Sequence, residues 1–193
     1  SHIKFGEANA ILVGDALQAL SYEIISDDED LSSNEKVFAI KLLASACGKN
    51  GMVYGQFLDI ESESKSLDKK SIENIHALKT GKLIECSVMF GQIGNPKKNV
   101  KKILKSYGKR IGLAFQITDD ILEVTSNKET LGKNTNSDQK NHKSTYASIF
   151  GIDKAKEKTK SLSKDAIADL ETLCSNKVNM LIELAKYIAY REK

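Results

Sequence analysis

A single proline, Pro96, occurs in the 193 residues of this chain, and tryptophan is absent. Proline breaks helix interiors and is frequent in turns, so its scarcity favours long uninterrupted helices over a turn-rich β fold. Apolar residues recur at three- and four-residue spacing, as they do over residues 100–122. The sequence therefore predicts an all-α fold, a helical bundle, and we expect one domain over residues 1–193.

The apolar spacing and the turn residues set the expected helices and their boundaries. Three glycines, Gly48, Gly51 and Gly55, lie inside one of these segments, where each costs about 1 kcal/mol. Close approach of two helices is the ordinary explanation, and room for a ligand chain is the alternative. The expected helices cover residues 7–25, which should be largely buried, 34–63, 68–90, 96–125 with Asn95 as its N-cap, 152–173 and 178–190, with a polar loop over 126–142.

Composition and charge limit the classes of function. The chain is 40% hydrophobic and 28% charged, as is typical of globular proteins, and its net charge is only +3. The basic run over residues 97–105 has helical spacing and indicates a solvated face rather than a nucleic-acid site. The cysteines Cys47, Cys86 and Cys174 form no C-x-x-C pair, which favours buried, reduced thiols. No apolar run approaches the roughly 18 residues of a membrane span.

The segment F-Q-I-T-D-D-I-L-E, residues 115–123, concentrates acidic side chains on an otherwise apolar helix. Gln116, Asp119, Asp120 and Glu123 fall within roughly 100° of one another around the helix axis. Clustered carboxylates that are partly removed from water need a cation, and hard oxygen ligands without His or Cys suit Mg²⁺. The alternative is an acidic, solvent-facing stripe of an amphipathic helix.

Lysines supply the second half of the pattern. Lys79 interrupts an apolar stripe, so we expect it to have a buried anionic partner, unless its stem packs and its head reaches solvent. The loop over residues 131–143 is long and polar, which favours a functional role. Lys133 and Lys143 in this loop are candidates to clamp a phosphate, although a solvated basic loop is the ordinary explanation. Together, the carboxylates and lysines predict a site for Mg²⁺ and a polyphosphate.

Five segments, in the same order along the chain, resemble the trans-prenyl diphosphate synthase family. Residues 115–123 resemble its second aspartate-rich motif, usually F-Q-x-x-D-D-x-x-D. Residues 5–17 look like the segment that follows the family's first aspartate-rich motif. The other three are G-Q-x-x-D at residues 55–59, K-T at residues 79–80 and the loop over residues 131–146. The resemblance covers essentially the whole chain.

This resemblance implies an all-α bundle of the isoprenoid synthase type that uses Mg²⁺. It also implies a cytoplasmic homodimer. Asp119 would be the main Mg²⁺ ligand, and Asp120 and Glu123 would support it directly or through water. Glu123 stands where the family usually has aspartate, but its longer side chain can still reach a metal-bound water.

The same resemblance implies the substrates. Lys79, Lys133 and Lys143 would hold an allylic diphosphate, with Thr80 and Gln116 near the reacting carbon. Dimethylallyl or geranyl diphosphate would condense with isopentenyl diphosphate to give farnesyl diphosphate. The alternatives are a longer-chain product, geranylgeranyl or polyprenyl diphosphate, and a non-catalytic subunit of a heteromeric prenyltransferase.

The first aspartate-rich motif of the family has no counterpart in these 193 residues. By the resemblance, this motif and the arginines that follow it should lie just before Ser1, so we expect the native N-terminus to be missing. We therefore expect the 193-residue chain alone to be inactive in prenyl diphosphate synthesis.

Overall fold

The computed structural model of the protein describes residues 1–63, 65–94, 97–131 and 145–191. All regular structure in these residues is helical, with no β-strand among them. The all-α prediction is therefore confirmed. The chain forms two compact units, and the assignment of one domain to residues 1–193 stays a prediction.

The first unit, Ser1–Ala44, contains α1 (His2–Phe5), α2 (Glu7–Asp27) and most of α3 (Ser33–Cys47). Helix α2 forms where the sequence predicts it, but its predicted burial is wrong, because none of its residues is buried. Its apolar side chains are spread around the helix, and its own unit offers too few neighbours to cover them. Glu35 caps α3 by accepting the backbone N–H of Ser32 at 2.9 Å.

The second unit, Ser45–Lys193, is built around one long helix, α7, which packs against α6, α9, α10 and a π-helical turn. Its elements, in chain order, are α4 (Met52–Glu61), α5 (Lys69–His76), the π-helix (Ala77–Gly81), α6 (Lys82–Phe90), α7 (Lys98–Leu131), α8 (Tyr146–Phe150), α9 (Ile152–Glu171), a short 3₁₀ turn (Asn176–Val178) and α10 (Asn179–Tyr190).

The buried face of α7 has the helical spacing that the sequence predicts. Polar bonds reinforce this apolar packing: the Tyr107 hydroxyl donates to the Leu181 carbonyl on α10 at 2.7 Å. Burial raises the pKa of Tyr107 to about 12, so the phenol stays a hydrogen-bond donor at neutral pH. The buried apolar residues of α7 are Leu104, Tyr107, Ile111, Ala114, Ile117 and Ile121.

Several predicted boundaries are wrong. The helix expected over residues 34–63 is two helices, because the chain turns between Cys47 and Met52, where the Gly51 N–H bonds to the Gly48 carbonyl at 3.0 Å. A Cβ at Gly51 would lie 1.9 Å from the Ala46 carbonyl oxygen, so the turn requires glycine.

The long helix and its flanks also differ from expectation. Helix α7 continues to Leu131, past the predicted start of the loop at residue 126, and α8 was not predicted. A capping box between Thr145 and Ser148 starts α8. The expected cap at residues 95–96 and the loop over residues 132–144 lie outside the described residues.

The cysteines differ in exposure, although all three are free thiols. Cys86 is buried as predicted, and its burial raises the thiol pKa to about 11. Cys47 is only partly buried, and Cys174 is exposed, so the prediction was wrong for Cys174, which lies in the turn after α9. No described helix is long and apolar enough to cross a membrane.

Candidate active site

Lys79 and Thr80 lie on a π-helical turn rather than on a regular α-helix. The predicted helix over residues 68–90 is continuous, but its middle, Ala77–Gly81, is π-helical. A π-bulge adds a residue to one turn, changes the direction of the side chains it carries, and is frequent at functional sites. An apolar pattern of period 3.6 contains no signal for such a turn, which is why it was not predicted.

Two glycines bring neighbouring helices against this π-helix. A Cβ on Gly55 of α4 would lie 2.2 Å from the backbone nitrogen of Lys79. A Cβ on Gly112 of α7 would lie 2.6 Å from the Cα of Gly81. Close helix approach therefore explains Gly55. The sequence signal for the second contact is the G-x-x-x-G spacing of Gly108 and Gly112, which sequence analysis did not single out.

Lys79 forms an ion pair with Asp59 of α4, with 2.7 Å between Nζ and Oδ2. Asp59 is buried, so the expected anionic partner of Lys79 is present. An ammonium group has three N–H donors, and this contact uses one of them. Asp59 ends the G-Q-x-x-D segment, but sequence analysis gave it no role in the site.

Thr80, Gln116 and Asp120 form a chain of hydrogen bonds from the π-helix to α7. The Thr80 hydroxyl donates to Gln116 Oε1 at 2.7 Å, and Gln116 Nε2 donates to Asp120 Oδ1 at 3.4 Å. The structure thus brings together two residues that were predicted to lie near the reacting carbon. This arrangement fixes the amide orientation of Gln116 between two neighbours.

Asp120 is buried, with 4% of its surface exposed, and joins three elements. Its Oδ2 accepts the backbone N–H of Tyr146 on α8 at 2.8 Å. The same oxygen lies 3.5 Å from Nε2 of His76 on α5. A buried carboxylate needs such partners to offset its loss of hydration. Sequence analysis missed His76, which the I-H-x-x-K-T spacing places one turn before Lys79.

His76, Lys79, Gln116 and Asp120 contribute to the wall of a cavity of about 140 Å³ in the second unit. Its wall is mostly polar and contains both carboxylates and a lysine, the mixture predicted for a site of metal and polyphosphate. The lining residues are Asp59, Ser62, Leu67, Ile72, Ile75, His76, Lys79, Gln116, Asp120, Glu123 and Thr145.

Asp119 lies on another side of α7 from its neighbour Asp120. Its Oδ1 accepts a hydrogen bond from Nη2 of Arg191, one residue beyond the end of α10, and the two side chains form an ion pair. The guanidinium also stacks over the Phe115 ring, 4.3 Å from its centroid. Burial lowers the pKa of Arg191. Sequence analysis missed Arg191, because an isolated arginine after a helix carries no motif.

The carboxylates of α7 fit a Mg²⁺ ion that also binds substrate. No described cluster of three or more His, Cys, Asp or Glu side chains is close enough to hold a metal ion alone. Magnesium typically binds through one or two carboxylates together with water and phosphate oxygens. Asp119 and Glu123 lie one turn apart; the Asp119 side chain is 40% exposed and Glu123 is exposed. These two are accessible hard-oxygen donors, whereas Asp120 is enclosed.

The remaining predicted site residues are Lys133 and Lys143. Both lie outside the described residues, so their role as diphosphate clamps stays a prediction. The metal-ligand assignment of Asp119, Asp120 and Glu123 also stays a prediction.

The chain matches the polyprenyl synthetase family over residues 1–185. It is 42% identical over 198 residues to the farnesyl diphosphate synthase of Escherichia coli K12, covering 100% of this chain. It is 39% identical over 196 residues to geranylgeranyl pyrophosphate synthase 4 of Arabidopsis thaliana, covering 99% of this chain. Among solved structures, the Helicobacter pylori geranyltransferase complexed with magnesium and isoprenyl diphosphate aligns with a TM-score of 0.79 and 33% identity over 97% of this chain.

These matches define the class of protein: the chain belongs to the polyprenyl synthetase family. It spans 66% of the length of the E. coli enzyme, 52% of the Arabidopsis enzyme and 61% of the H. pylori chain. The relatives carry the names of both farnesyl and geranylgeranyl synthases, so they leave the product length open.

Proposed function

We propose that the protein is a Mg²⁺-dependent, short-chain trans-prenyl diphosphate synthase that makes farnesyl diphosphate. The observation that carries this proposal is the polar cavity in which Lys79, Gln116, Asp120 and Glu123 converge within a polyprenyl synthetase fold. Geranylgeranyl diphosphate is the second candidate product, because a relative at 39% identity is named for it. The protein is further proposed to act as a cytoplasmic homodimer.

The residues that line the cavity, together with Thr80 on the π-helix and Asp119 on α7, suit the two halves of the reaction. The C–O bond of the allylic diphosphate breaks, and the diphosphate leaves with the electron pair. Lys79 donates N–H bonds to the departing phosphate oxygens, and its contact with Asp59 holds the ammonium in position. Asp119 and Glu123 would hold a Mg²⁺ ion, which would supply positive charge to the same leaving group.

The second half joins two substrates. The double bond of isopentenyl diphosphate attacks the allylic cation, a carbon–carbon bond forms, and loss of one proton gives a diphosphate five carbons longer. Thr80 and Gln116, locked together at 2.7 Å, present oxygen atoms whose dipoles stabilise the developing cation. Water would capture this cation, so the reaction requires the substrates to be enclosed when the bond breaks.

The test of activity is an assay of the full-length protein with geranyl diphosphate, radiolabelled isopentenyl diphosphate and Mg²⁺, followed by separation of the products by chain length. A fifteen-carbon product is expected. Predominantly twenty-carbon or longer product would replace the farnesyl assignment, and no elongation at all would overturn the proposed activity.

Lys79→Met tests the site itself. Methionine keeps the packed stem and removes the charge, so we expect about a tenfold or greater loss of affinity for a non-hydrolysable allylic diphosphate analogue, since charged hydrogen bonds are worth about 1.5–3 kcal/mol. Affinity is measured by titration calorimetry, and circular dichroism checks the fold. Lys82→Met, on the adjacent helix, is the matched control and should bind normally. Unchanged affinity in Lys79→Met would remove Lys79 from the diphosphate site.

A further inference from the structure

We propose that Arg191 is a positioning residue that holds the Asp119 carboxylate and must yield it when a divalent cation binds there. This inference rests on the proposed function, in which Asp119 is a metal ligand. Nothing in the motif pattern of the sequence assigns a role to Arg191.

The Arg191 guanidinium occupies a position on Asp119 that a metal ion would need. Arg191 donates from Nη2 to Oδ1 of Asp119, so a cationic group already covers an oxygen that a metal ion would need. Only 12% of the Arg191 side chain is exposed, and its guanidinium lies over the Phe115 ring of α7. A metal ion and the guanidinium carry charge of the same sign, so they compete for this carboxylate.

The ion pair between Arg191 and Asp119 leaves one donor of the guanidinium unsatisfied. The Nε–H of Arg191 is buried, yet it has no hydrogen-bond acceptor among the described residues. A bidentate arginine–carboxylate pair would use two parallel N–H bonds and would be harder to separate. An arginine that leaves a buried donor unsatisfied is therefore better suited to temporary neutralisation of Asp119 than to a permanent structural bond.

A second arginine, Arg110, forms a similar ion pair away from the proposed site. The chain contains two arginines, Arg110 and Arg191, and each forms an ion pair with an aspartate on a neighbouring element. Arg110 of α7 pairs with Asp169 of α9 and lies 3.4 Å from the Asp165 carbonyl oxygen. That pair links two packed helices and has no place in the proposed site. Arg110 is therefore an internal control of equal charge.

Competition has a defined consequence for affinity. When only a fraction of the protein has Asp119 released, the apparent metal affinity equals the intrinsic affinity multiplied by that fraction. An ion pair of this partly exposed kind should lower the affinity by about 3- to 10-fold. Arg191→Gln should therefore bind Mn²⁺ about 3- to 10-fold more tightly than the unsubstituted protein. Arg191→Lys, which keeps the charge but loses the planar stacking, should be intermediate.

Metal binding is measured directly, without an activity assay, from the free Mn²⁺ signal in electron paramagnetic resonance titrations. Four variants are compared: Arg191→Gln, Arg191→Lys, Arg110→Gln and Asp119→Asn. Arg110→Gln loses the same charge and should leave Mn²⁺ affinity unchanged. Asp119→Asn should lose Mn²⁺ binding at this site.

If Arg191→Gln binds no more tightly than Arg110→Gln while Asp119→Asn weakens binding, the metal site stands and the role of Arg191 is overturned. If Asp119→Asn binds normally, Asp119 is not a ligand and both ideas fail.

A spectroscopic signature separates displacement from a general charge effect. In ¹⁵N-labelled protein the Nε–H signals of Arg110 and Arg191 are assigned from their loss in the Arg110→Gln and Arg191→Gln variants. Addition of diamagnetic Mg²⁺ should shift the Arg191 signal and leave that of Arg110 in place. An Arg191 signal that does not move while Mg²⁺ saturates the site would contradict the proposal.

Discussion

Asp119 and Asp120 are adjacent in sequence but belong to two different regions of the second unit. Asp120 faces the cavity, where Tyr146, His76 and Gln116 surround its carboxylate. Asp119 faces the end of α10 and pairs with Arg191 alone among the described residues. About 100° of helix rotation separates the two side chains.

The contrast shows that neighbouring carboxylates of one acidic motif can serve different purposes, one in stability and the other in metal binding. A carboxylate that joins three elements and is almost fully buried is held by the fold, so its removal should cost stability. A carboxylate that is 40% exposed and neutralised by one arginine can exchange that partner for a metal ion. Substitutions at the two positions should therefore separate an effect on turnover from an effect on stability.

The largest effect, on turnover, is expected from substitution of the more exposed carboxylate, Asp119. Asp119→Ala in the full-length protein should lower kcat by at least about 10²-fold, the scale of losing one electrostatic stabiliser of the transition state. The free energy of unfolding should change by no more than about 1 kcal/mol, because the carboxylate is partly solvated. Steady-state kinetics and urea unfolding measure the two effects. Turnover near that of the unsubstituted protein would exclude Asp119 from the metal site.

Substitution of Asp120, which faces the cavity, should mainly lower stability. Asp120→Ala leaves the buried Tyr146 N–H without its acceptor and should lower the free energy of unfolding by about 1–3 kcal/mol. Asp120→Asn keeps a carbonyl oxygen in the same place and should cost less. Urea unfolding at equilibrium measures both, with Asp119→Asn as the matched control. If Asp120→Ala is as stable as Asp119→Asn, the contacts of Asp120 with α5 and α8 do not stabilise the fold.

The sequence predicts the two sides of the motif unequally. The helical period of residues 115–123 correctly places the carboxylates on a core helix, and Lys79 on its apolar stripe correctly indicates an anionic partner. The identity of each partner depends on tertiary packing: Asp59 precedes Lys79 by 20 residues, and Arg191 follows Asp119 by 72. Spacing along one helix cannot reveal such pairs.

The features that the sequence predicted wrongly or did not predict also depend on tertiary packing. The π-helical turn and the break after Cys47 depend on close contacts at Gly55, Gly112 and Gly51. A glycine in a sequence indicates that space is needed, but it does not show which neighbour uses that space. The exposure of α2 follows the same logic, because apolar periodicity predicts a tendency to be buried and contains no information about the surface that would cover it.

The smallest effect on stability is expected from the hydrogen bond between Thr80 and Gln116. This bond should couple the π-helix to α7 if the side chains on the cavity side form one connected network. Thr80→Val keeps the shape of the side chain and removes the hydroxyl that donates at 2.7 Å. Gln116→Met removes the acceptor. In a double-mutant cycle on the free energy of unfolding, we expect a coupling of about 0.5–1.5 kcal/mol, the net worth of one hydrogen bond.

Thr159→Val is the matched control, because the Thr159 hydroxyl bonds to Ala155 of its own helix and should show no coupling with Gln116→Met. Equal and negligible coupling in both cycles would mean that Thr80 and Gln116 are neighbours without mutual support. The hydrogen bonds of α7 on the cavity side would then stabilise the fold only through Asp120, and the two regions of the motif would differ less than their contacts suggest.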